Sequence, residues 1–267
     1  MNALLGKRIA IIGAGNIGRI LLERLTTSGI PAADMIVCDS DATRAEEASG
    51  RLGARACSLT DEALVSSDIV LLTPPPKAVL EILKALAPGL RPGQVVISFA
   101  AAISLSRLEA VVPSGMATAR VMPNAPSLVG KGMNPVAYGS HVPPASRALV
   151  EAILQILGET VEVRDEQMNW CVGLTGAAMR SLMPALEGMA RAGAEAGFSA
   201  EDARHLAAQV MLGTAALVLE SSLSFDEVKS LTPMQTVDEQ GVARIYLEAA
   251  RAAKQKTEAA EGKLREM

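Results

Sequence analysis

The sequence predicts an α/β fold with a doubly wound, mostly parallel sheet in its first part and an all-α fold in its second part. Three observations support this prediction. Short apolar runs alternate with helical patterns over roughly the first 160 residues, a glycine-rich loop joins the first run to the first helix, and strand-like runs end before Gln167. Such alternation is typical of βαβ units with parallel strands.

Each element of the first part follows from the hydrophobic pattern. The predicted strands are the runs RIAIIG, DMIVCD, SDIVLLT, QVVISFA and ATARVM, and the predicted helices between them are NIGRILLERLTTSG, ATRAEEASGRLG, KAVLEILKALAPGL and LSRLEAVV. The runs NPVAYG and TVEVR, with a helix at about residues 143–157 between them, are expected to extend the sheet edge.

The second part has long helical periodicity in QMNWCVGLTGAAMRSLMPALEGMARAGAEAG and in SAEDARHLAAQVMLGTAALVLESS. The last segment, VARIYLEAARAAKQKTEAAEGKLREM, is helical and becomes very polar. We therefore expect two domains, residues 1–160 and residues 161–267. The apolar faces LVLE and AAQVML are too extensive for one small domain to cover, which predicts a homodimer or higher homo-oligomer.

The composition excludes several classes of protein. Of the 267 residues, 49% are hydrophobic but only 2% are aromatic, and the net charge is −4, which argues against nucleic-acid binding by base stacking. No run approaches the roughly 18 apolar residues of a membrane span, and no secretory signal pattern is present. Cys38, Cys57 and Cys171 are widely spaced and odd in number, so neither a disulfide framework nor a metal site is expected. We expect a reduced, cytoplasmic protein.

The glycine loop directly follows the first strand and opens the first helix. Its pattern is G-x-G-x-x-G, in which the first glycine permits a tight turn, the second lets the backbone approach a pyrophosphate, and the third lets helix and strand pack closely. The context predicts a dinucleotide-binding Rossmann domain, with a purely structural turn as the alternative. The predicted cofactor residues of this loop are Gly13, Gly15, Asn16, Ile17 and Gly18.

Asp39 ends the second predicted strand, about 20 residues after Gly18. A carboxylate there accepts hydrogen bonds from ribose hydroxyls and repels a 2′-phosphate, which favours NAD. Ser40 and Arg44 follow and could hold a phosphate, so NADP is the alternative. Asp39 could also be a turn or helix-cap residue. Further cofactor contacts are predicted near the ends of strands, at Thr73, Pro74, Ala100, Met122, Pro123 and Asn124.

The loop RVMPNAPSLVGKGM, from Arg120 to Met133, contains no side chain that acts as an acid or base at neutral pH. Pro123 and Pro126 restrict its backbone, and Asn124 offers both a donor and an acceptor. A rigid loop can position a dihydronicotinamide ring without titrating, since hydride transfer depends on geometry. The alternative is an ordinary proline-rich turn.

These motifs resemble the pyrroline-5-carboxylate reductase family over nearly the whole chain. IAIIGAGNIG is similar to the family's cofactor loop, VVISFAAAISLSRL to its fifth strand, and RVMPNAPSLVGKGM to its R-x-M-P-N-x-P loop. VGLTGAAMRSLMPALEGMARAGAEAG and AAQVMLGTAALVLES resemble its helical domain. The resemblance implies a helical dimerisation domain, reduction of a cyclic imine to proline with NAD(P)H, and an Asn124 loop beside the nicotinamide.

The family's substrate loop, S-P-G-G-[TA]-T, is altered to TPMQTV. The resemblance implies that the last hydroxyl of this loop lies near the imine nitrogen and that its backbone holds the substrate carboxylate. Val237 has no hydroxyl, and losing such a bond costs on the order of 1–3 kcal/mol. The predicted substrate-binding residues are Thr175, Thr232, Met234, Gln235 and Val237.

A second departure changes the family's G-S-G-P-A-Y to TGAAMRS, which puts Arg180 near the expected substrate pocket. Arg180 could clamp a carboxylate, and the alternative is a solvated arginine on a helix face. The predicted catalytic residues are Asn124, Arg180 and Thr236.

We therefore expect an NAD(P)H-dependent reductase of a cyclic imine or related C=N substrate, with a small imine or amino acid as ligand. One alternative is a β-hydroxyacid-dehydrogenase-like enzyme, but that chemistry usually needs a lysine where this helix offers Arg180. The other alternative is an inactive NAD(P)-binding regulatory relative, which would explain an intact glycine loop beside an altered substrate loop.

Overall fold

The computed structural model describes residues 2–266, which form two compact units. Unit 1 contains the described residues up to Gly176 and those from Arg251 onward, and unit 2 is Ala177–Ala250. The sequence predicts a boundary near residue 160, between a dinucleotide-binding domain and a helical substrate and dimerisation domain. This division by function remains a prediction.

Unit 1 is an α/β fold with a seven-stranded sheet of order β3-β2-β1-β4-β5-β6-β8, in which only the β6–β8 pair is antiparallel. The strands are β1 Ile9–Ile12, β2 Met35–Cys38, β3 Arg55–Cys57, β4 Ile69–Leu72, β5 Val95–Ser98, β6 Ala117–Val121, β7 Gly132–Met133, β8 Val136–Tyr138 and β9 Gly158–Glu159. β7 and β9 form a separate parallel pair.

The helices of unit 1 are α1 Asn16–Thr27, α2 Ala42–Gly50, α3 Glu62–Val65, α4 Pro76–Leu86, α5 Leu105–Glu109, α6 Pro144–Leu157 and α7 Met168–Cys171. Short 3-10 turns lie at Asn2–Leu4, Ala32–Asp34, Ala87–Gly89, Ala125–Val129 and Asp165–Gln167, and a π-helical turn follows α7 at Val172–Ala177. Unit 2 contains α8 Ala178–Glu195, α9 Ala200–Glu220, α10 Phe225–Ser230 and the start of α11 Glu239–Arg265.

The central strands are buried along their whole length because helices cover both faces of the sheet. Alternate residues of a strand point to opposite faces. Thus Ile9 and Ile11 pack in one core with residues of α1 and α6, whereas Ala10 and Ile12 pack in the other with residues of α4 and α5. The predicted doubly wound, mostly parallel sheet is confirmed.

The edges of the sheet differ from the predicted alternation in one respect. β3 is missing from the predicted strands because its sequence, Arg-Ala-Cys, is short, partly exposed and without a β-branched residue. NPVAYG does form an edge strand, β8, and TVEVR contributes an isolated bridge between Glu162 and Val136.

Unit 2 buries very little. Among residues 177–250, all of which the structure describes, the buried ones are Ala203, Ala207 and Ala250. α8 and α9 pack closely through small residues, since a Cβ on Gly193 would lie 2.9 Å from that of Ala203. Large apolar side chains of the unit are therefore exposed, including Leu206, Val210, Leu212, Leu219, Phe225 and Ile245.

Across the described part of the chain, none of the helices combines the length and the apolar character that crossing a bilayer requires.

Candidate functional site

The glycine loop lies at the carboxyl edge of the sheet, between β1 and α1. Gly13 has a φ of +107°, and a Cβ there would lie 2.8 Å from Oγ1 of Thr73. A Cβ on Gly18 would lie 1.8 Å from the carbonyl oxygen of Gly13. Both positions therefore require glycine, one for its backbone conformation and both for close packing.

Gly15 differs from its two neighbours in the loop. A Cβ on Gly15 would have no atom within 4 Å, so the space above this residue is open. Gly15 caps α1 without a side-chain hydrogen bond, and the first turn of α1 carries no acidic residue. The N-terminus of this twelve-residue helix carries no acidic side chain of its own and has open space at Gly15, which suits a pyrophosphate, so the loop fits a dinucleotide.

Thr73 and Asp39 hold this loop from two sides. Oγ1 of Thr73 donates to the carbonyl oxygens of Gly13 and Ile12, at 2.7 and 3.0 Å. The Asp39 carboxylate accepts a hydrogen bond from the Ala14 N–H at 2.7 Å. The shape of the loop is thus fixed before any ligand binds.

Asp39 also accepts a hydrogen bond from the Asp41 N–H at 3.0 Å, and Arg44 lies 3.7 Å from it. Burial alone would raise the pKa of this carboxyl group. The backbone hydrogen bonds from Asp41 and Ala14, together with the charge of Arg44, outweigh burial and hold the pKa of Asp39 below its usual range. Asp39 is therefore ionised at neutral pH, with Ser40 and Arg44 exposed beside it.

A cavity of about 490 Å³ opens next to Asp39 and Ser40, and its other side is formed by Cys57, Ser58 and Leu59. Cys57 is not among the residues that the sequence predicts for this site. The sequence contains no clear signal for it, because Cys57 ends a short run whose hydrophobic pattern does not predict a strand.

The remaining predicted cofactor residues lie just after β4, β5 and β6, at the same edge as the glycine loop. Pro74, Ala100, Met122 and Pro123 are all buried, and only Asn16 of the loop residues is fully exposed. Ala102 in the turn after β5 has a φ of +62°, which is unfavourable for a residue with a Cβ. Strain of this kind clusters at functional sites.

Asn124 uses both ends of its amide to fix the loop that follows β6. Its Oδ1 accepts from the Met133 N–H at 3.1 Å, and its Nδ2 donates to the carbonyl oxygen of Thr175 at 3.3 Å. The hydroxyl of Thr175 in turn donates to the carbonyl oxygen of Cys171 at 2.8 Å. The structure therefore brings two predicted residues, Asn124 and Thr175, into direct contact.

Arg120, at the start of the same motif, points into a buried polar cluster. Its Nη1 lies 2.8 Å from Asp165 and its Nη2 lies 3.3 Å from Asn169, which donates to Glu261 of α11 at 2.8 Å. Arg120 is only 1% exposed. These partners were missed from the sequence, where no local pattern connects residues so far apart.

The predicted residues of unit 2 lie on its surface. Arg180 is exposed in the first turn of α8, and no ion pair is found for it among the residues that the structure describes. The substrate-loop residues Thr232, Met234, Gln235, Thr236 and Val237 form an exposed, non-helical segment between α10 and α11. Within unit 2, no hydrogen bond joins this segment to Arg180.

The doubly wound sheet and the fitted glycine loop define a dinucleotide-binding protein of the Rossmann class. Residues 8–102 match the family model described as "NADP oxidoreductase coenzyme F420-dependent". Residues 165–260 match the model "Pyrroline-5-carboxylate reductase dimerisation". The predicted cofactor class, NAD(P), is confirmed, and the second match indicates a homo-oligomer.

The chain belongs to the pyrroline-5-carboxylate reductase family. It is 30% identical over 223 residues to the pyrroline-5-carboxylate reductase of Pseudomonas aeruginosa, covering 83% of this chain and 82% of that one. The resemblance that the motifs carry is thereby confirmed.

Two solved structures share the fold. A pyrroline-5-carboxylate reductase from Coxiella burnetii has a TM-score of 0.80 at 21% identity, covering 95% of this chain and 98% of that one. The pyrroline carboxylate reductase of Plasmodium falciparum with NADP bound has a TM-score of 0.83 at 20% identity, with the same coverage.

Proposed function

We propose that the protein transfers a hydride from a reduced nicotinamide dinucleotide to the carbon of a small cyclic imine, either pyrroline-5-carboxylate or a related C=N compound. The observation that carries this proposal is the loop after β6, whose rigid Asn124 anchor lies at the same sheet edge as the fitted glycine loop. A cyclic imine protonates readily, so the protein needs chiefly to orient it and relay one proton.

The preferred cofactor in this proposal is NADH. An ionised Asp39 at the end of β2 suits the two ribose hydroxyls of NAD and repels the 2′-phosphate of NADP. Arg44 is close enough to offset part of that repulsion. NADPH is therefore expected to be used, but with a lower kcat/KM than NADH.

Three residues have proposed roles at the reaction centre. Asn124 is a positioning residue, because both ends of its amide already bind backbone groups. Arg180 is exposed and unpaired within unit 2, and it binds the substrate carboxylate in this proposal. Thr236 offers a hydroxyl one residue before Val237 and replaces the family's last hydroxyl only in part, and the backbone of the segment from Thr232 supports it.

In the proposed assembly, residues 161–267 form a homodimer and contribute the substrate loop, while residues 1–160 bind the dinucleotide. Support comes from the exposed apolar side chains of unit 2, which a second copy would remove from water. Only alanines are buried in unit 2, so a monomer would leave its large apolar side chains in water.

The test is steady-state oxidation of NADH and NADPH with pyrroline-5-carboxylate, its six-membered homologue and pyrroline-2-carboxylate. We expect turnover of at least one imine, faster with NADH. Failure with all three would favour the inactive regulatory relative, and reduction of NAD⁺ or NADP⁺ with a β-hydroxyacid in a parallel assay would favour the other alternative.

The altered substrate loop gives a matched comparison. The triple change Met234→Gly, Gln235→Gly and Val237→Thr restores the family pattern. We expect it to raise kcat/KM for pyrroline-5-carboxylate by about one to two powers of ten, as one recovered hydrogen bond in the transition state allows. An unchanged value would exclude the proposed role of this loop.

A further inference from the structure

Two of the three cysteines face each other across neighbouring strands. Cys38 ends β2, Cys57 ends β3, and the parallel register pairs them directly. Neighbouring strands lie about 4.8 Å apart, and disulfides require Cα atoms roughly 4.4–6.8 Å apart. The two side chains also leave the same face of the sheet, so backbone spacing and direction both suit a bond between them.

The two thiols differ in reactivity and access. Cys38 is 2% exposed, whereas Cys57 is half-buried and lines the cavity beside Asp39. A hydrogen bond from the Cys38 thiol lowers the pKa of Cys57, and the same contact together with burial raises the pKa of Cys38. Cys57 is therefore the more accessible of the two thiols and the one that ionises more readily.

The position of Cys38 links this pair to the glycine loop. The carbonyl oxygen of Cys38 accepts a hydrogen bond from the Gly13 N–H at 2.7 Å. The next residue, Asp39, accepts one from the Ala14 N–H at 2.7 Å. Any displacement of Cys38 is thus transmitted to the loop backbone and to the carboxylate for which binding of the pyrophosphate and the ribose is proposed.

We propose that Cys38 and Cys57 form a reversible disulfide, and that this disulfide lowers the affinity of unit 1 for its nicotinamide dinucleotide. The second half of the proposal rests on the dinucleotide site described above. Closing the bond brings the two Cβ atoms to about 3.8 Å, which is shorter than the strand spacing of about 4.8 Å, so the ends of β2 and of the short edge strand β3 must tilt toward each other on this face of the sheet. The bond would also narrow the cavity that Cys57 shares with Asp39 and Ser40.

The oxidant in this proposal is a low-molecular-weight disulfide. The Cys57 thiolate attacks one sulfur of the reagent, forming a mixed disulfide and releasing one thiolate. Cys38 then loses its proton and attacks Sγ of Cys57, which forms the Cys38–Cys57 bond and releases the second thiolate. Two protein thiols are oxidised and one reagent disulfide is reduced to two thiols, so the step balances and excess thiol reverses it.

The experiment treats the full-length protein with oxidised glutathione, removes the reagent and measures two quantities. Mass spectrometry of a tryptic digest reads whether peptide 25–44 is joined to peptide 56–77 with the loss of two hydrogens. Fluorescence titration with NADH, in the absence of any imine, reads the affinity. We expect the linked peptide, an affinity at least about fivefold lower, at the low end of typical coupling between sites, and full recovery after dithiothreitol.

The variant Cys57→Ser should form no linked peptide and should keep its NADH affinity after the same treatment. Cys171→Ser leaves the pair intact and should behave as the wild type does. Absence of the linked peptide in the wild type would overturn the disulfide, and a linked protein with unchanged affinity would overturn its effect on the cofactor. Failure of the reduced wild type to bind either NADH or NADPH would instead count against the dinucleotide site, whatever the digest shows.

Discussion

At Gly15 and Gly18 the same added methyl group is expected to affect different properties, the affinity for the cofactor at Gly15 and the stability of the fold at Gly18. Gly15→Ala should leave the free energy of unfolding within about 0.5 kcal/mol of the wild type, because a Cβ there meets nothing within 4 Å. It should nevertheless lower the NADH affinity at least about tenfold, since the methyl group would occupy the open space proposed for the pyrophosphate.

Gly18→Ala is the matched control in the same loop. Its Cβ would lie 1.8 Å from the Gly13 carbonyl oxygen, so we expect a loss of about 2–4 kcal/mol in stability. Urea unfolding and NADH titration of both variants check the pair. Equal stability losses at the two positions would contradict the assignment of the open space to the ligand.

Ala102 is the described residue other than glycine that has a positive φ, +62°. Ala102→Gly should raise the free energy of unfolding by up to about 1 kcal/mol, because relief of the left-handed conformation exceeds the entropy that glycine loses. Ala101→Gly, at a neighbouring position with negative φ, should instead lower it by about 0.5–1 kcal/mol. Chemical denaturation measures both, and a loss of stability in Ala102→Gly as large as that in Ala101→Gly would contradict the expected relief of strain.

At the scale of elements, the end of α11 is held in unit 1 by a chain of polar contacts. Glu261 accepts from Asn169 at 2.8 Å, and Arg265 lies 2.7 Å from its other oxygen. Arg107 adds a hydrogen bond to the carbonyl oxygen of Leu264 at 2.6 Å. The polar composition at this end of the chain suggests a solvated helix, but Glu261 is only 9% exposed.

Glu261→Gln should lower the free energy of unfolding at pH 7 by about 1–2 kcal/mol, as for a hydrogen bond to a charged group. Burial alone would raise the pKa of Glu261, but the contacts from Asn169 and Arg265 hold it below its ordinary value of 4.5. A depressed folded-state pKa stabilises the fold above the unfolded value and is lost as pH falls through the folded value. The difference between wild type and variant should therefore be constant near neutrality and shrink below about pH 4.5.

The control for this prediction is Glu258→Gln on the same helix. Glu258 pairs with Lys254 at the surface, with its side chain 46% exposed, and such pairs contribute at most about 0.5 kcal/mol. Urea unfolding from pH 3 to pH 7 compares the two. A pH-independent difference for Glu261→Gln would rule out the ionised carboxylate as the stabilising group.

At the scale of the whole molecule, the exposed apolar surface of unit 2 is the feature that favours self-association. Leu206 and Val210, one turn apart on α9, are 47% and 57% exposed. Replacing both with arginine should convert the proposed dimer to a monomer, because burying two unpaired guanidinium groups costs several kcal/mol. Sedimentation equilibrium measures the change. Ala208→Arg, an exposed position on the side of α9 opposite to both residues, is the control and should leave the assembly unchanged.

The sequence alone determined the local features of this protein. The alternation of apolar runs predicted β1, β2, β4, β5 and β6, and the glycine spacing predicted the dinucleotide loop, because helices, strands and tight turns depend on neighbouring residues. The R-x-M-P-N-x-P loop and the helical second part are also local patterns, and they were sufficient to reveal the family resemblance.

Contacts between distant residues depend on the folded path of the chain and could not be predicted from local patterns. β3 has no hydrophobic pattern of its own and pairs with β2 as an edge strand, which alone brings Cys57 to Cys38. Arg120 finds its partners in Asp165 and Asn169, and α11 returns Glu261 to the same cluster. Such contacts depend on how the chain crosses itself, and periodicity over a few residues contains no information about that path.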